Sequence, residues 1–482
     1  MLLLKTLWGY GQCDILYSLA VSHSAEKYRG FRKSCVGYDS NAYPLEEGEM
    51  DRLSLIFFLF SPALLGAQEL PIELAEPLAA QGLLEGDPDE LGLSSARLER
   101  IDGLISAAID DEEIVGAVAL VARRGRVAYG KAFGMADSND SEPMKVDTLF
   151  RIASMTKPIT SLAVMMLHEE GSFLLRDPIA KYIPEFNDPV ILTSVSDGFE
   201  TRAAQSDITI QQLLTHTSGI SYGFISNTLE RERLAQLYDE AGISDGISGT
   251  DGVIADLSRQ LDGLPLLFEP GTEFAYGLST DVLGHFVEVV SGVSLAEFFE
   301  TRIFGPLRMR DSRFYLEAEE AERLASVYTS AAGGGIREVP AGPTVSYPYV
   351  GPRSYYSGGA GLISTVGDYA RFLQMFLNGG ELDGVRLLSR HSVGLMIKNN
   401  IGNLSAGPGV KFGLGFAVVD DPGVLGDLRS EGTYYWSGIF HTRFFVDPSE
   451  QLIGVFMAQL SPRDGATVGN RFVNVVYQAI VD

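Results

Sequence analysis

Phe150-Arg-Ile-Ala-Ser154-Met-Thr-Lys157-Pro158-Ile-Thr160, running on into Ser161-Leu-Ala-Val-Met-Met-Leu167, sets a serine and a lysine three residues apart at the start of an apolar helix. Pro158 lacks an N–H and is tolerated only near a first turn, so the helix is predicted to begin close to Ser154 and to end at Gly171. Positions i and i+3 share one helix face, which puts Lys157 within reach of the Ser154 hydroxyl. A lysine whose pKa is lowered by burial can accept that proton, and the unpaired N–H groups of the helix start favour negative charge developing nearby. Ser-x-x-Lys also occurs on ordinary helix surfaces, so the rest of the chain has to supply its partners.

Upstream, Leu93 to Ile109 carries apolar residues at helical spacing after a serine cap, and Val115 to Gly134 reads as two strands around an Arg-Gly turn. Strand-like runs return at 413–419, 433–438, 442–446 and 452–458, followed by a helix from about Val468 to Ile480. Between them lie helical segments separated by polar and Gly-rich stretches, with helices at Ser279–Val290 and Val366–Leu377. Early and late strands with helices between predict an α/β (α+β) fold, an antiparallel sheet built from both chain ends and flanked by helices. A mainly helical subdomain is inserted at about 190–350.

The chain is long enough, at 482 residues, for a full core, and its 45% hydrophobic and 21% charged content is that of a soluble protein. With 37 basic against 63 acidic residues the net charge of −26 opposes binding to nucleic acid or anionic membranes. The two cysteines, Cys13 and Cys35, precede everything that reads as globular, so no disulfide framework or cysteine nucleophile is available beyond them. The six histidines contain no His-x-x-x-His pair, and nothing argues for a metal or a cofactor. Residues 50–67 read as a secretory signal peptide after an upstream extension: the apolar run from Leu53 to Leu65 is short for a membrane span, and Gly66-Ala67 suits cleavage before Gln68. Residues 68–92 read as a linker and 93–482 as the catalytic domain, with a secreted or periplasmic location as the expectation.

Three further stretches bear on the chemistry. Gly242-Ile-Ser244-Asp-Gly246 matches the Gly-x-Ser-x-Gly elbow, but no apolar strand precedes the serine, so it reads as a loop and the α/β-hydrolase reading loses its support. Tyr276 stands between the Pro270-Gly271 turn and a helix, where a tyrosine ordinarily packs; beside a lysine it can also shuttle a proton. Gly438, in Tyr435-Trp436-Ser-Gly438-Ile439, marks either a bulge beside a buried tryptophan or the close approach of another backbone or a ligand.

In this order, Ser154-Met-Thr-Lys157, Tyr276 and Trp436-Ser-Gly438 resemble the three motifs of class C β-lactamase-like serine hydrolases, and most of all the family VIII carboxylesterases. Leu213-Leu-Thr-His-Thr-Ser-Gly219, Pro270-Gly-Thr-Glu-Phe-Ala-Tyr276, Gly305-Pro-Leu-Arg-Met309 and Gly358-Gly-Ala-Gly-Leu-Ile-Ser-Thr365 belong to the same set, and the resemblance spans roughly 93–480. It implies a serine β-lactamase/DD-peptidase-like fold in which Ser154 is the nucleophile. Lys157 is then its base or the electrostatic partner of Tyr276, which relays protons between leaving alcohol and attacking water. Base duty within that pair is a coupled titration. The resemblance also implies an oxyanion hole from the backbone N–H groups of Ser154 and Ile439, which in acyl transfer is worth ~3 kcal/mol.

Two departures shape the expected specificity. The β-lactamases carry Tyr-x-Asn and Lys-Thr-Gly where this chain has Leu278 and Trp436-Ser437-Gly438. Losing the lysine withdraws a charge-assisted contact to a substrate carboxylate, and tryptophan offers apolar area instead. Both changes favour small to medium neutral esters over β-lactams or D-amino-acid peptides, with acyl transfer on the same fold as the neighbouring activity. A catalytically silent scaffold relative is expected to lack the serine, lysine or tyrosine, and all three are present. Trp436, Gly438, Leu278 and Tyr222 are the expected substrate contacts for a small-molecule ester.

Overall fold

The computed structural model describes residues 83–482 except 140, 196–198, 249, 332–333, 341, 343–346, 349–350 and 463–464. The segment expected to be a signal peptide, both cysteines and the expected linker up to residue 82 lie outside the described residues.

The most apolar strand occupies the middle of the sheet. β1 (Gly116–Arg123) is buried along its whole length and pairs antiparallel with both β2 (Arg126–Asp137) and a strand from the C-terminal end. Side chains alternate between faces along a strand. Val118, Leu120 and Ala122 enter the main core, whereas Ala117, Ala119 and Val121 enter a second cluster on the opposite face. A continuous apolar run is therefore the pattern a strand covered on both faces requires.

The remaining strands are β3 (Glu142–Pro143), β4 (Val410–Phe412), β5 (Ala417–Val419), β6 (Tyr434–Gly438), β7 (Thr442–Asp447) and β8 (Leu452–Met457). Their order is β4-β5-β6-β7-β8-β1-β2-β3, eight antiparallel strands from the two chain ends. Register is set by pairs such as Leu120 with Val455 and Trp436 with Phe444.

One face is covered by the chain ends themselves. α1 (Arg100–Asp110) buries Ile101, Ile105 and Ala108 at helical spacing, and the C-terminal helix Val468–Tyr477 contributes Phe472 and Val476 to the same cluster. On the other face α4 (Val366–Leu377) lies against β1 and β8, and α2 (Thr156–Glu169) and α3 (Ser279–Ser291), packed on one another, complete the main core. α2 is buried all round from Thr156 to Leu167, which explains why its sequence is apolar on every side. Gly171 follows its last turn with φ +78°.

Phe150 pairs with Ser364 and Arg151 with Ile363, which sets the chain entering α2 beside the chain entering α4. Between these pairs lie helices Ile210–Leu214, Leu229–Glu240 and Ile254–Leu261 together with α3. Two small hairpins also occur, Val190–Ser194 with Glu200–Ala203 and Tyr328–Ser330 with Ile336–Glu338. Runs this short carry too little periodicity to separate them from loop in the sequence. No single helix among the described residues is long and apolar enough to cross a membrane.

Candidate active site

Ser154 stands where a strand is forced to become a helix. Arg151 ends the short pair with Ile363, a 3-10 turn follows at Ala153–Met155, and α2 starts at Thr156. Ala153 makes the bend with φ +43°, a left-handed conformation costing a non-glycine residue on the order of 1 kcal/mol. The turn is held from several directions: the Ile152 N–H donates to the Leu362 carbonyl (3.1 Å), the Tyr369 hydroxyl to the Met155 carbonyl (2.8 Å), and the Leu362 N–H to Thr156 Oγ1 (3.1 Å). Within residues 150–167 every residue is buried except Ser154, which keeps partial exposure. The fold thus presents one hydroxyl from an otherwise closed segment.

Lys157, one turn on, is 1% exposed. Its Nζ donates to Tyr222 Oη and to the Gly359 carbonyl, both at 2.8 Å, and lies 4.7 Å from the centre of the Tyr276 ring. Burial pushes its pKa down to about 7, against the opposing pull of the Asp281 carboxylate. Near neutral pH the amine is therefore divided between its two forms.

Tyr276 is positioned by the Thr215-His-Thr-Ser-Gly219 turn. The Ala275 N–H donates to the His216 carbonyl (2.9 Å) and the Gly277 N–H to His216 Nδ1 (3.4 Å). The Tyr276 ring then packs against the rings of His216, Tyr222 and Trp436, with centroids 4.8, 5.4 and 5.1 Å away. Burial and the Lys157 charge hold His216 well below its ordinary pKa, so it packs as a neutral ring.

Trp436 and Gly438 reach the site from β6. A Cβ on Gly438 would lie 2.4 Å from the Ile152 carbonyl oxygen, so glycine lets the strand abut the backbone that carries Ser154. Of the two sequence readings at this position, the structure shows close approach of another backbone. Ile439, just beyond, packs in one small apolar cluster with Ala153 and Phe440.

The other expected contacts are placed differently from one another. Tyr222 is buried, stacks on Phe224 (4.7 Å) and is a hydrogen-bond partner of Lys157. Leu278 precedes α3 and is buried in the main core. Ser244 sits in a segment without regular structure, its Oγ accepting from the Gly246 N–H (3.1 Å). The sequence reading missed Asp281, which is wholly buried on α3. An acid on the apolar face of an amphipathic helix was the available signal.

The family described as Beta-lactamase matches residues 101–478. Esterase EstB of Burkholderia gladioli is 36% identical over 380 residues, covering 75% of this chain and 90% of that protein. The structure of EstCE1, described as a hydrolase with promiscuous acyltransferase activity, superposes with a TM-score of 0.69 at 29% identity, covering 79% of this chain and 99% of that one. Simvastatin synthase (LovD) from Aspergillus terreus gives 0.66 at 25% identity, covering 79% and 98%. The chain therefore belongs to the beta-lactamase family as a hydrolase of its family VIII esterase branch, within the serine hydrolase superfamily.

Proposed function

We propose that the protein hydrolyses small to medium neutral acyl esters through an acyl-enzyme on Ser154. The observation that carries this reading is the pairing of one partly exposed serine with a buried Lys157 whose pKa is brought to about 7, enclosed by Tyr222 and Tyr276. Ser154 Oγ attacks the ester carbonyl while its proton passes to the Lys157–Tyr276 pair. The oxyanion is received by the N–H groups of Ser154 and Ile439. Collapse breaks the bond to the alcohol, which leaves with the proton held by the pair. Water then attacks the acyl-enzyme, gives up a proton to the same pair, and frees the acid and Ser154. Trp436 presents an apolar wall where a lysine would recruit a carboxylate, which supports esters over β-lactams.

The test is p-nitrophenyl butyrate hydrolysis by wild type and by Ser154→Ala, with nitrocefin and a D-Ala-D-Ala peptide in parallel. Equal esterase rates in the two proteins would refute the assignment. Acyl transfer is the second reading, favoured by likeness to EstCE1 and LovD. An alcohol in place of water completes the same cycle, and product esters formed with added alcohol measure it. The apolar run between Leu53 and Leu65 further supports export with cleavage before Gln68. N-terminal sequencing that finds intact material beginning at Met1 contradicts that.

A further inference from the structure

The Gly358-Gly-Ala-Gly361 stretch has no part in the acyl-transfer steps, yet it touches the lysine that does. The Gly359 carbonyl accepts from Lys157 Nζ at 2.8 Å, and the Gly359 N–H donates to Asp281 Oδ1 at 3.1 Å. One residue is thus held at its carbonyl by the amine and at its N–H by the carboxylate. A Cβ on Gly359 would fall 2.2 Å from Asp281 Oδ2, and one on Gly358 would fall 2.7 Å from the Thr280 carbonyl oxygen. Only backbone without side chains fits between α3 and Lys157.

Asp281 lies five residues after Tyr276 and is 0% exposed. Its Oδ1 also accepts from Ser357 Oγ, while its Oδ2 has no hydrogen-bond partner among the described residues. A carboxylate that only capped the 357–360 turn would gain those two donors and still carry the cost of one bare buried oxygen. A nearby buried cation offsets that cost, and Lys157 is the cation on the far side of Gly359.

We propose that Asp281 is a positioning residue for the Ser154 reaction, acting through Gly359 to orient Lys157 and to keep its amine able to hold a proton despite burial. The proposal rests on the reading of Ser154 and Lys157 given above. The groups facing Lys157 are Tyr222, Tyr276, Asp281 and His216, the last held neutral. Those facing Asp281 are Lys157, Asp245 of the 242–252 segment, and the Tyr222, Tyr347 and Tyr355 hydroxyls. Burial and Asp245 favour the neutral acid in Asp281, whereas Lys157, Ser357 and the Gly359 N–H favour its charged form. The two buried groups therefore support each other's charge.

The readout is the pH dependence of Ser154 acylation by a fluorophosphonate in wild type, Asp281→Asn and Ser357→Ala. Asparagine keeps the shape and removes the charge, so the acidic midpoint is expected to fall by about 1 pH unit. Ser357→Ala leaves Asp281 one donor fewer and is expected to move the midpoint the same way by less. A purely structural Asp281 lowers stability or rate without moving the midpoint, so an unmoved midpoint in folded Asp281→Asn overturns the proposal. Should that variant not fold, an unmoved midpoint in Ser357→Ala overturns it instead. The Ser154→Ala control keeps the two claims apart. Wild-type turnover in that control defeats the nucleophile assignment, whereas an inactive control with an unmoved Asp281→Asn midpoint defeats only the role of Asp281.

Discussion

Lys157 Nζ donates to Tyr222 Oη at 2.8 Å, which joins the first turn of α2 to the segment that follows the Thr215–Gly219 turn. The bond spans 65 positions of sequence and makes Tyr222 part of the environment that sets the amine's direction. Tyr222→Phe keeps the ring and its stacking on Phe224 but removes the acceptor. We expect kcat/KM for p-nitrophenyl butyrate to fall about tenfold, the scale of one hydrogen bond to a charged group, with folding intact by circular dichroism.

A lysine brought to about 7 places one limb of the pH profile near neutrality. Its neutral form, the one that accepts a proton, increases as pH rises through that value. Wild-type kcat/KM is therefore expected to climb across neutral pH and to level off above it. His216 is held neutral, so His216→Asn should leave the limb in place. A limb that disappears in His216→Asn would show that the wrong group had been assigned.

Gly438 is expected to tolerate no side chain. Alanine there would place Cβ 2.4 Å from the Ile152 carbonyl oxygen, and a strand this closely applied to the nucleophile turn has nowhere to move. Overpacking of this kind costs about 1–3 kcal/mol. Thermal denaturation of Gly438→Ala should show a lower midpoint, accompanied by reduced esterase activity because the Ser154 turn is displaced.

Trp436 separates ester from lactam chemistry in this account. Trp436→Lys restores a cation that can meet a substrate carboxylate, at the expense of the ring packed on Tyr276 and Phe412. The ratio of nitrocefin to ester turnover is expected to rise about tenfold, the worth of one charge-assisted contact. An unchanged ratio would remove Trp436 from the account of specificity.

Much of this architecture is legible where local signals are strong. The Val366–Leu377 helix has a threonine cap whose side chain accepts from the Asp368 N–H, and its bounds are those the spacing predicts. The hairpin of β1 and β2 follows from two apolar runs around Arg124-Gly125. Of the C-terminal strand expected at 413–419 only 417–419 forms, as β5, because the chain turns back at Gly413 to Phe416 after β4 at 410–412. At the site, spacing within one helix turn marks Ser154 and Lys157 as candidates, and Tyr276 and Trp436-Ser-Gly438 have to come from elsewhere in the chain. The bonds that surround Lys157 are long-range: Gly359 lies 202 positions away, and Asp281 reads locally as one acid on an amphipathic helix. Only the folded chain brings those residues to one another.

The central claim is the acyl-enzyme on Ser154. Rapid acid quench of wild type with p-nitrophenyl butyrate, followed by intact-mass and peptide mass spectrometry, measures it directly. The account predicts one butyryl group on the peptide containing Ser154, absent in Ser154→Ala. Continued turnover with no adduct, or a butyryl group on another residue such as Ser244, would contradict it.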